Sequence, residues 1–179
     1  MDLSAIALTS DRLSLRAFTA HDAAEAFNNA TAAVTRFMAW DPSPSLEAFA
    51  AVWREWLPRM RAGTDAFLVL RLRSTGEFLG AAGLHGIGGP EMELGIWLKE
   101  AAHGVGYGRE AIAAIATWAA THLAAESFIY PVVEQNRPSR RLAESLGGVV
   151  VGGRVLRKAS GVVLDEVVYR VPGTLTSLK

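Results

Sequence analysis

Three glycines on alternate positions, Gly104, Gly106 and Gly108, stand in the run His103-Gly104-Val105-Gly106-Tyr107-Gly108-Arg109-Glu110-Ala111. An extended apolar segment, Leu94 to Leu98, precedes the run. Apolar residues at helical spacing (Ile112, Ile115, Ala116, Ala119, Leu123) follow it. Glycine lets a backbone pass close to a ligand with no Cβ in the way. The first turn of a helix adds unpaired N–H groups and the positive end of its dipole. Strand, glycine loop and helix start therefore read either as a cradle for phosphate groups or as a turn that only caps the helix. The dinucleotide fingerprint is absent, because Arg109 stands where Gly-x-Gly-x-x-Gly needs its third glycine, and no Gly-Lys-Ser/Thr occurs.

Further along lies Glu134-Gln135-Asn136-Arg137-Pro138-Ser139-Arg140-Arg141-Leu142, closing with Leu146-Gly147-Gly148. With the glycine loop, this segment resembles the GNAT acetyltransferase superfamily. That superfamily binds acetyl-CoA through Arg/Gln-x-x-Gly-x-Gly/Ala and an Asn-x-x-Ser-type motif. More narrowly, the chain is similar to the branch typified by the ribosomal-protein N-terminal acetyltransferases. The motifs of that branch read here as Arg36-Phe37-Met38-Ala39-Trp40-Asp41-Pro42, Glu93-Leu94-Gly95-Ile96-Trp97-Leu98 and Gly106-Tyr107-Gly108-Arg109-Glu110-Ala111. The resemblance runs from about Leu8 to Pro172.

It implies direct transfer of an acetyl group from acetyl-CoA to a primary amine, with no covalent enzyme intermediate, since a positioned free amine attacks a thioester readily. Acetyl-CoA is the co-substrate implied, with no metal. Its donor site would comprise the backbone of Ile96, Trp97 and Leu98, the loop His103, Gly104, Val105, Gly106, Tyr107, Gly108 and Arg109, and Asn136 with Ser139. An unpaired backbone N–H near Ile96 to Leu98 would serve the oxyanion. Phe37, Trp40 and Glu93 would wall the acceptor pocket.

Glu93 is the candidate general base, on one side of its strand with Glu91, Gly95 and Trp97. A carboxyl group packed beside aromatic surface suits base work near neutrality; an ordinary surface glutamate is the competing reading. Many members of the superfamily carry a tyrosine seven residues after the asparagine, where this chain has Ala143. The branch offers Ser139 instead, as proton donor to the departing sulfur, as its hydrogen-bond partner, or as an early-helix serine bonded to backbone. Asn136 reads both as an N-cap, with Pro138 in the first turn, and as a ligand of the pantetheine chain. Lys99, Arg109, Arg137, Arg140 and Arg141 flank the two motifs and suit the phosphates of CoA. His103 replaces the usual Arg or Gln at the head of the loop.

The elements that must hold these residues follow from periodicity. Strands are expected over Leu8–Phe18, Asp65–Arg73, Glu77–Ile87, Glu91–Leu98, Ser127–Val133, Val149–Arg157 and Val162–Val171. Helices are expected over Thr19–Asn29, Ser45–Arg61, the segment after the glycine loop to about Ala125, and Pro138–Leu146. That order predicts an α/β (α+β) fold with a mixed sheet. The resemblance implies a GNAT-like, mostly antiparallel seven-stranded sheet with splayed fourth and fifth strands and about four helices. Pro131, inside the fifth strand, suits an N–H-free position facing that splay, or a bulge.

At 179 residues and 19.2 kDa, the chain fits one domain spanning 1–179. Zero net charge gives no general field for nucleic acid or acidic membranes, and neither is expected as a partner. Absence of cysteine excludes disulfides, thiolate metal sites and a cysteine nucleophile. The four histidines show no metal-ligand spacing. The start of the chain lacks a signal-peptide pattern and no apolar run reaches the roughly 20 residues of a membrane span, so the cytoplasm is expected. The partner expected is an amine acceptor, a peptide N-terminus or a small molecule, and a homodimer stays open. An α-amine, with a pKa of about 7.7–8.0 against roughly 10.4 for lysine, needs only a modest base, which favours a peptide or protein α-amine. A small-molecule amine (antibiotic, polyamine or amino acid) is the alternative, since fold and donor site do not choose the acceptor. A CoA-binding module without turnover is the second alternative, and Ala143 is the feature that favours it.

Overall fold

The computed structural model describes residues 1–173. Its strands are β1 (Ala7–Thr9), β2 (Leu13–Ala17), β3 (Asp65–Leu72), β4 (Phe78–His85), β5 (Glu93–Leu98), β6 (Ser127–Val133), β7 (Val149–Arg157) and β8 (Val163–Pro172). The helices are α1 (Ala23–Asn29), α2 (Ala32–Thr35), α3 (Leu46–Arg54), α4 (Trp56–Ala62), α5 (Tyr107–Leu123) and α6 (Arg137–Ser145). One sheet of eight strands runs in the order β1-β2-β3-β4-β5-β6-β8-β7, antiparallel except where β5 meets β6.

Two differences from the sequence reading have local causes. The expected strand Leu8–Phe18 is a hairpin, which turns seven strands into eight. Ser10 closes the turn by donating its N–H to the Leu13 carbonyl and accepting from the Leu13 N–H. The Glu110 carboxylate then accepts from the Ser10 hydroxyl, the Arg12 N–H and the Arg12 guanidinium at 2.6–2.7 Å. These bonds lower the Glu110 pKa against the opposing effect of burial. The expected helix Ser45–Arg61 is broken at Glu55, between α3 and α4. Pro58 explains the break, since its ring lacks an N–H and clashes with the carbonyl four residues earlier, at Arg54. Ser45 does cap α3, accepting from the Ala48 N–H.

α5 lies on one face of the sheet. Its residues Ala111, Ile112, Ile115, Ala116 and Ala119 are buried with Leu15, Leu68, Leu84 and Leu94 of the strands. Burying each isoleucine contributes about 1.5–3 kcal/mol, so this stripe fixes where the helix starts. α1 and α3 cover the other face, where Phe18, Phe49, Trp53, Val69 and Phe78 form a second cluster.

β5 and β6 part almost at once. Their one register pair is Glu93 with Ile129, supported by the Ile129 N–H donating to the Met92 carbonyl at 2.9 Å. Ile129 uses its N–H toward β5, and Pro131, two residues on, points its missing N–H the same way, into the opening. The proline therefore costs no ladder bond.

Candidate active site

The opening is lined by the free edge of β5. Met92 turns its carbonyl toward β6, while the Lys99 N–H turns the other way, to the Leu79 carbonyl of β4. Alternation between these anchors points the backbone groups of Ile96 and Leu98 into the opening and those of Trp97 toward β4. Of the three residues expected to offer backbone to the donor, Ile96 and Leu98 thus turn theirs to the opening, and Trp97 does not.

His103 acts within the loop. Its Nε2 lies 2.9 Å from the Leu98 carbonyl, so it ties the loop back to the end of β5. Gly104 and Gly106 have φ of +80° and +86°, a left-handed conformation that other residues adopt at a cost. Gly106 is the N-cap of α5 and has no side-chain partner. The N–H groups of Tyr107, Gly108 and Arg109 consequently open the helix without intrahelical acceptors. Arg12 braces the loop from outside, donating to the Val105 carbonyl at 3.0 Å and lying 4.6 Å over the Tyr107 ring. Gly108 does a different job. A Cβ there would lie 2.7 Å from Leu142 of α6, so it allows α5 and α6 to pack closely.

Beyond the opening, Asn136 caps α6, its Oδ1 accepting from the Ser139 N–H at 3.3 Å. Among the described residues the Ser139 hydroxyl makes no backbone bond; it meets the Tyr130 hydroxyl at 3.0 Å. Tyr130 is buried, which pushes its pKa up to about 12, so this phenol holds its proton across the neutral range. The basic cluster separates. Lys99 pairs with Glu77 at 2.6 Å, Arg140 donates to Tyr169 at 3.0 Å and Arg109 reaches the Ser145 carbonyl at 3.4 Å. Arg137 and Arg141 remain exposed on α6.

On the opposite face of the sheet lies a cavity of about 300 Å³, between the strands and the early helices. Trp40, Trp56, Phe67 and Trp97 give it aromatic walls. Trp56 stacks on Phe67 at 4.7 Å, and Trp40 meets Trp97 edge-on at 6.3 Å. Phe37, expected here, is not part of the lining; it lies under the Arg36 guanidinium at 4.3 Å. Asp41 borders the cavity but accepts from the Ser160 N–H and lies 3.5 Å from Lys158. Glu93 faces this side of the sheet, with its two oxygens 3.1 and 3.4 Å from Arg154, which also binds Glu166 at 2.6 Å.

One cluster escaped the sequence reading. His85, opposite Glu93 on β4, projects into the cavity and holds Asp65 of β3 through Nδ1 at 2.9 Å. Its signal was the period-two series Gly83, His85 beside Glu93, Gly95. The glycines leave the room that an imidazole lying along the sheet requires: a Cβ on Gly83 would sit 2.4 Å from His85 Nε2.

Residues 12–149 match the acetyltransferase (GNAT) domain family. The chain belongs to that family, and it is an N-acetyltransferase. Solved structures agree in fold. An acetyltransferase from Agrobacterium tumefaciens str. C58 is 28% identical, with a TM-score of 0.74, over 93% of this chain and 94% of that one. Mycobacterium smegmatis RimJ in complex with CoA-disulfide is 19% identical, TM-score 0.77, over 89% and 81% of the two chains. Spermidine N-acetyltransferase from Vibrio cholerae, in complex with CoA and spermine, is 18% identical, TM-score 0.78, over 93% and 98%. No curated protein matches the sequence. Among the described residues no helix is long and apolar enough to cross a membrane, and no group of side chains could hold a metal ion.

Proposed function

We propose that the chain transfers acetyl from acetyl-CoA directly to a primary amine, with the α-amine of a peptide or protein as leading acceptor. The observation that carries this reading is the position of Ile96. Its backbone faces the β5–β6 opening, and the same residue borders the aromatic cavity on the other face. A donor entering past the glycine loop and an acceptor entering past Trp40 would meet there.

The loop glycines and the start of α5 fit the diphosphate of CoA, because a positive φ keeps backbone N–H groups turned outward with no Cβ beside them. Asn136 retains its amide N–H groups for the pantetheine chain while its oxygen caps α6. In the transfer, the amine lone pair attacks the thioester carbon as a side chain on the cavity face takes the amine's proton. The Ile96 N–H donates to the oxyanion. The C–S bond then breaks, and sulfur leaves with its electron pair. Ser139, hydrogen-bonded to the protonated Tyr130, supplies the proton that makes the free thiol. This pair replaces the tyrosine missing at Ala143 and favours turnover over a passive CoA-binding module.

Calorimetry with acetyl-CoA, followed by thiol release over peptide N-termini and small amines, tests the reading. We expect one bound acetyl-CoA per chain and amine-dependent thiol release. Binding without release for any amine would leave a CoA-binding module, and no binding would remove the donor site.

A further inference from the structure

Asp65, His85 and Glu93 stand opposite one another on β3, β4 and β5, on the face that carries the aromatic cavity. Asp65 is only 3% exposed, and every bond it makes is accepted. Oδ1 accepts from Arg59 at 2.6 Å and faces His85 Nδ1 at 2.9 Å; Oδ2 accepts from Arg59 at 3.0 Å and from the Thr64 hydroxyl at 2.9 Å. A carboxylate bound to a guanidinium has no proton to give, so His85 Nδ1 is the donor in that pair. In the neutral imidazole the lone pair then sits on Nε2. Nε2 has no protein hydrogen bond among the described residues. It lies over Gly83 and 3.9 Å from where a Cβ on Gly95 would be, one residue before Ile96. The ring leans on Phe67 at 5.0 Å, which with Asp65 fixes its orientation.

The cavity also limits what can occupy it. Beside this face Asp41 has Lys158 and Asp65 has Arg59, while Glu93 shares Arg154 with Glu166. A second or third ammonium of a polyamine would enter aromatic surroundings at a large desolvation cost. At about 300 Å³ the space lies at the small end of ligand pockets, enough for one side chain and too little for an oligosaccharide antibiotic.

We propose that this cavity takes a single amine carried on an apolar body, with His85 Nε2, oriented by Asp65, accepting the amine's proton. The proposal rests on the acetyl-transfer reading. An alkylammonium gives one proton to Nε2, and its freed lone pair forms the C–N bond as the C–S bond breaks. The second proton lost by nitrogen passes through Ser139 to the departing thiolate, and His85 returns its proton to solvent, leaving amide and thiol. Glu93, by contrast, already accepts from Arg154 at both oxygens. Asp65 is a positioning residue, holding the tautomer that leaves Nε2 open. An apolar N-terminal residue of a peptide and a free arylalkylamine share this chemistry.

The test loads the protein with CoA and follows tryptophan fluorescence while phenethylamine, a phenylalanyl peptide or spermidine is added. Trp40, Trp56 and Trp97 report because they line the cavity. In parallel, acetyl transfer to the same amines is measured for the parent, His85→Asn, His85→Gln, Asp65→Asn and Glu93→Gln. Asn keeps an N–H for Asp65 while removing Nε2, and Gln is the second choice should Asn lower the melting temperature. We expect the two aromatic amines to bind more tightly than spermidine. Either His85 variant should lose about 10²–10⁴-fold in kcat/KM with amine binding retained. Asp65→Asn should lower kcat with the amine KM little changed. The charged groups facing His85 from neighbouring elements are Asp65 and Arg59, Glu93 with Arg154, and Asp41 with Lys158 across the cavity, so the Asp65 and Glu93 variants serve as controls for the field. The phenylalanyl and phenethyl arms tell peptide from free amine. Tighter binding of spermidine, or parental rates in the His85 variants while Glu93→Gln loses turnover, would overturn the proposal. The acetyl-CoA titration fails separately if the donor reading is wrong, because amine binding is read by fluorescence and needs no turnover.

Discussion

Ser139 spends its hydroxyl on Tyr130 and leaves the capping of its helix to Asn136. A serine kept only for local structure would bond to nearby backbone. Ser139→Ala should therefore lower the catalytic rate by more than it weakens acetyl-CoA binding, because charge on sulfur grows toward the transition state. The loss should fall within about 10²–10⁴-fold, the usual range for general-acid help. The substitution also strands the buried Tyr130 hydroxyl, at roughly 1–3 kcal/mol, so the melting temperature falls as well. Single-turnover kinetics beside a melt separate the two effects, and an unchanged rate would make Ser139 structural. At this scale the sequence revealed the types of residue and less of their company. Asn136 caps its helix as its spacing predicts, Ser139 lies in the first turn, and Trp40 borders the cavity. The partners came from elsewhere in the chain: Arg154 for Glu93, Asp65 for His85, Arg12 for the glycine loop. Periodicity carries no information on which distant side chain completes an ion pair.

Glycines in one loop divide between two duties at the level of elements. Gly106 holds a left-handed turn at the start of α5, with only the Arg12 guanidinium 3.4 Å from where its Cβ would sit, while Gly108 lets α5 meet α6. Gly106→Val should strain the cradle and reduce acetyl-CoA affinity by an order of magnitude or more with the fold retained. Gly108→Val should instead drive a side chain into Leu142 and lower stability by about 1–3 kcal/mol, the usual cost of overpacking. Calorimetry and thermal melts on the pair check this, and the same phenotype from both variants would remove the division. Long, periodic elements were legible: α5, β6 and the β7–β8 hairpin fall within a few residues of expectation. The misses came from polar interruption. Leu8–Phe18 reads as one strand until Glu110, almost a hundred positions away, is seen to hold Ser10 and Arg12 as a turn. Pro58 broke a helix whose apolar spacing ran on across it.

The whole molecule is one sheet in two parts, β1–β5 and β6–β8, joined along the ladder by a single residue pair. α5 and α6 pack across that junction, with Leu142 against Gly108 and Tyr130 beneath Ser139. The β5–β6 opening, besides offering a route for a substrate, sets how the protein opens under thermal motion. Segments with few shared hydrogen bonds unfold as separate cooperative units, each with its own free energy. In the free protein, amide hydrogens of β6 and β8 should thus exchange at a different limiting rate from those of β3 and β4. A ligand seated in the opening bonds to both sides and adds about 2.7 kcal/mol at a hundredfold excess over its Kd. Mass-resolved exchange should then show the two sets converging on one rate when acetyl-CoA is present. Unchanged, still separate rates would mean that the halves are already coupled through the helices alone. Convergence would make the acetyl donor the missing rung of the ladder, so that each round of product release briefly returns the sheet to two pieces.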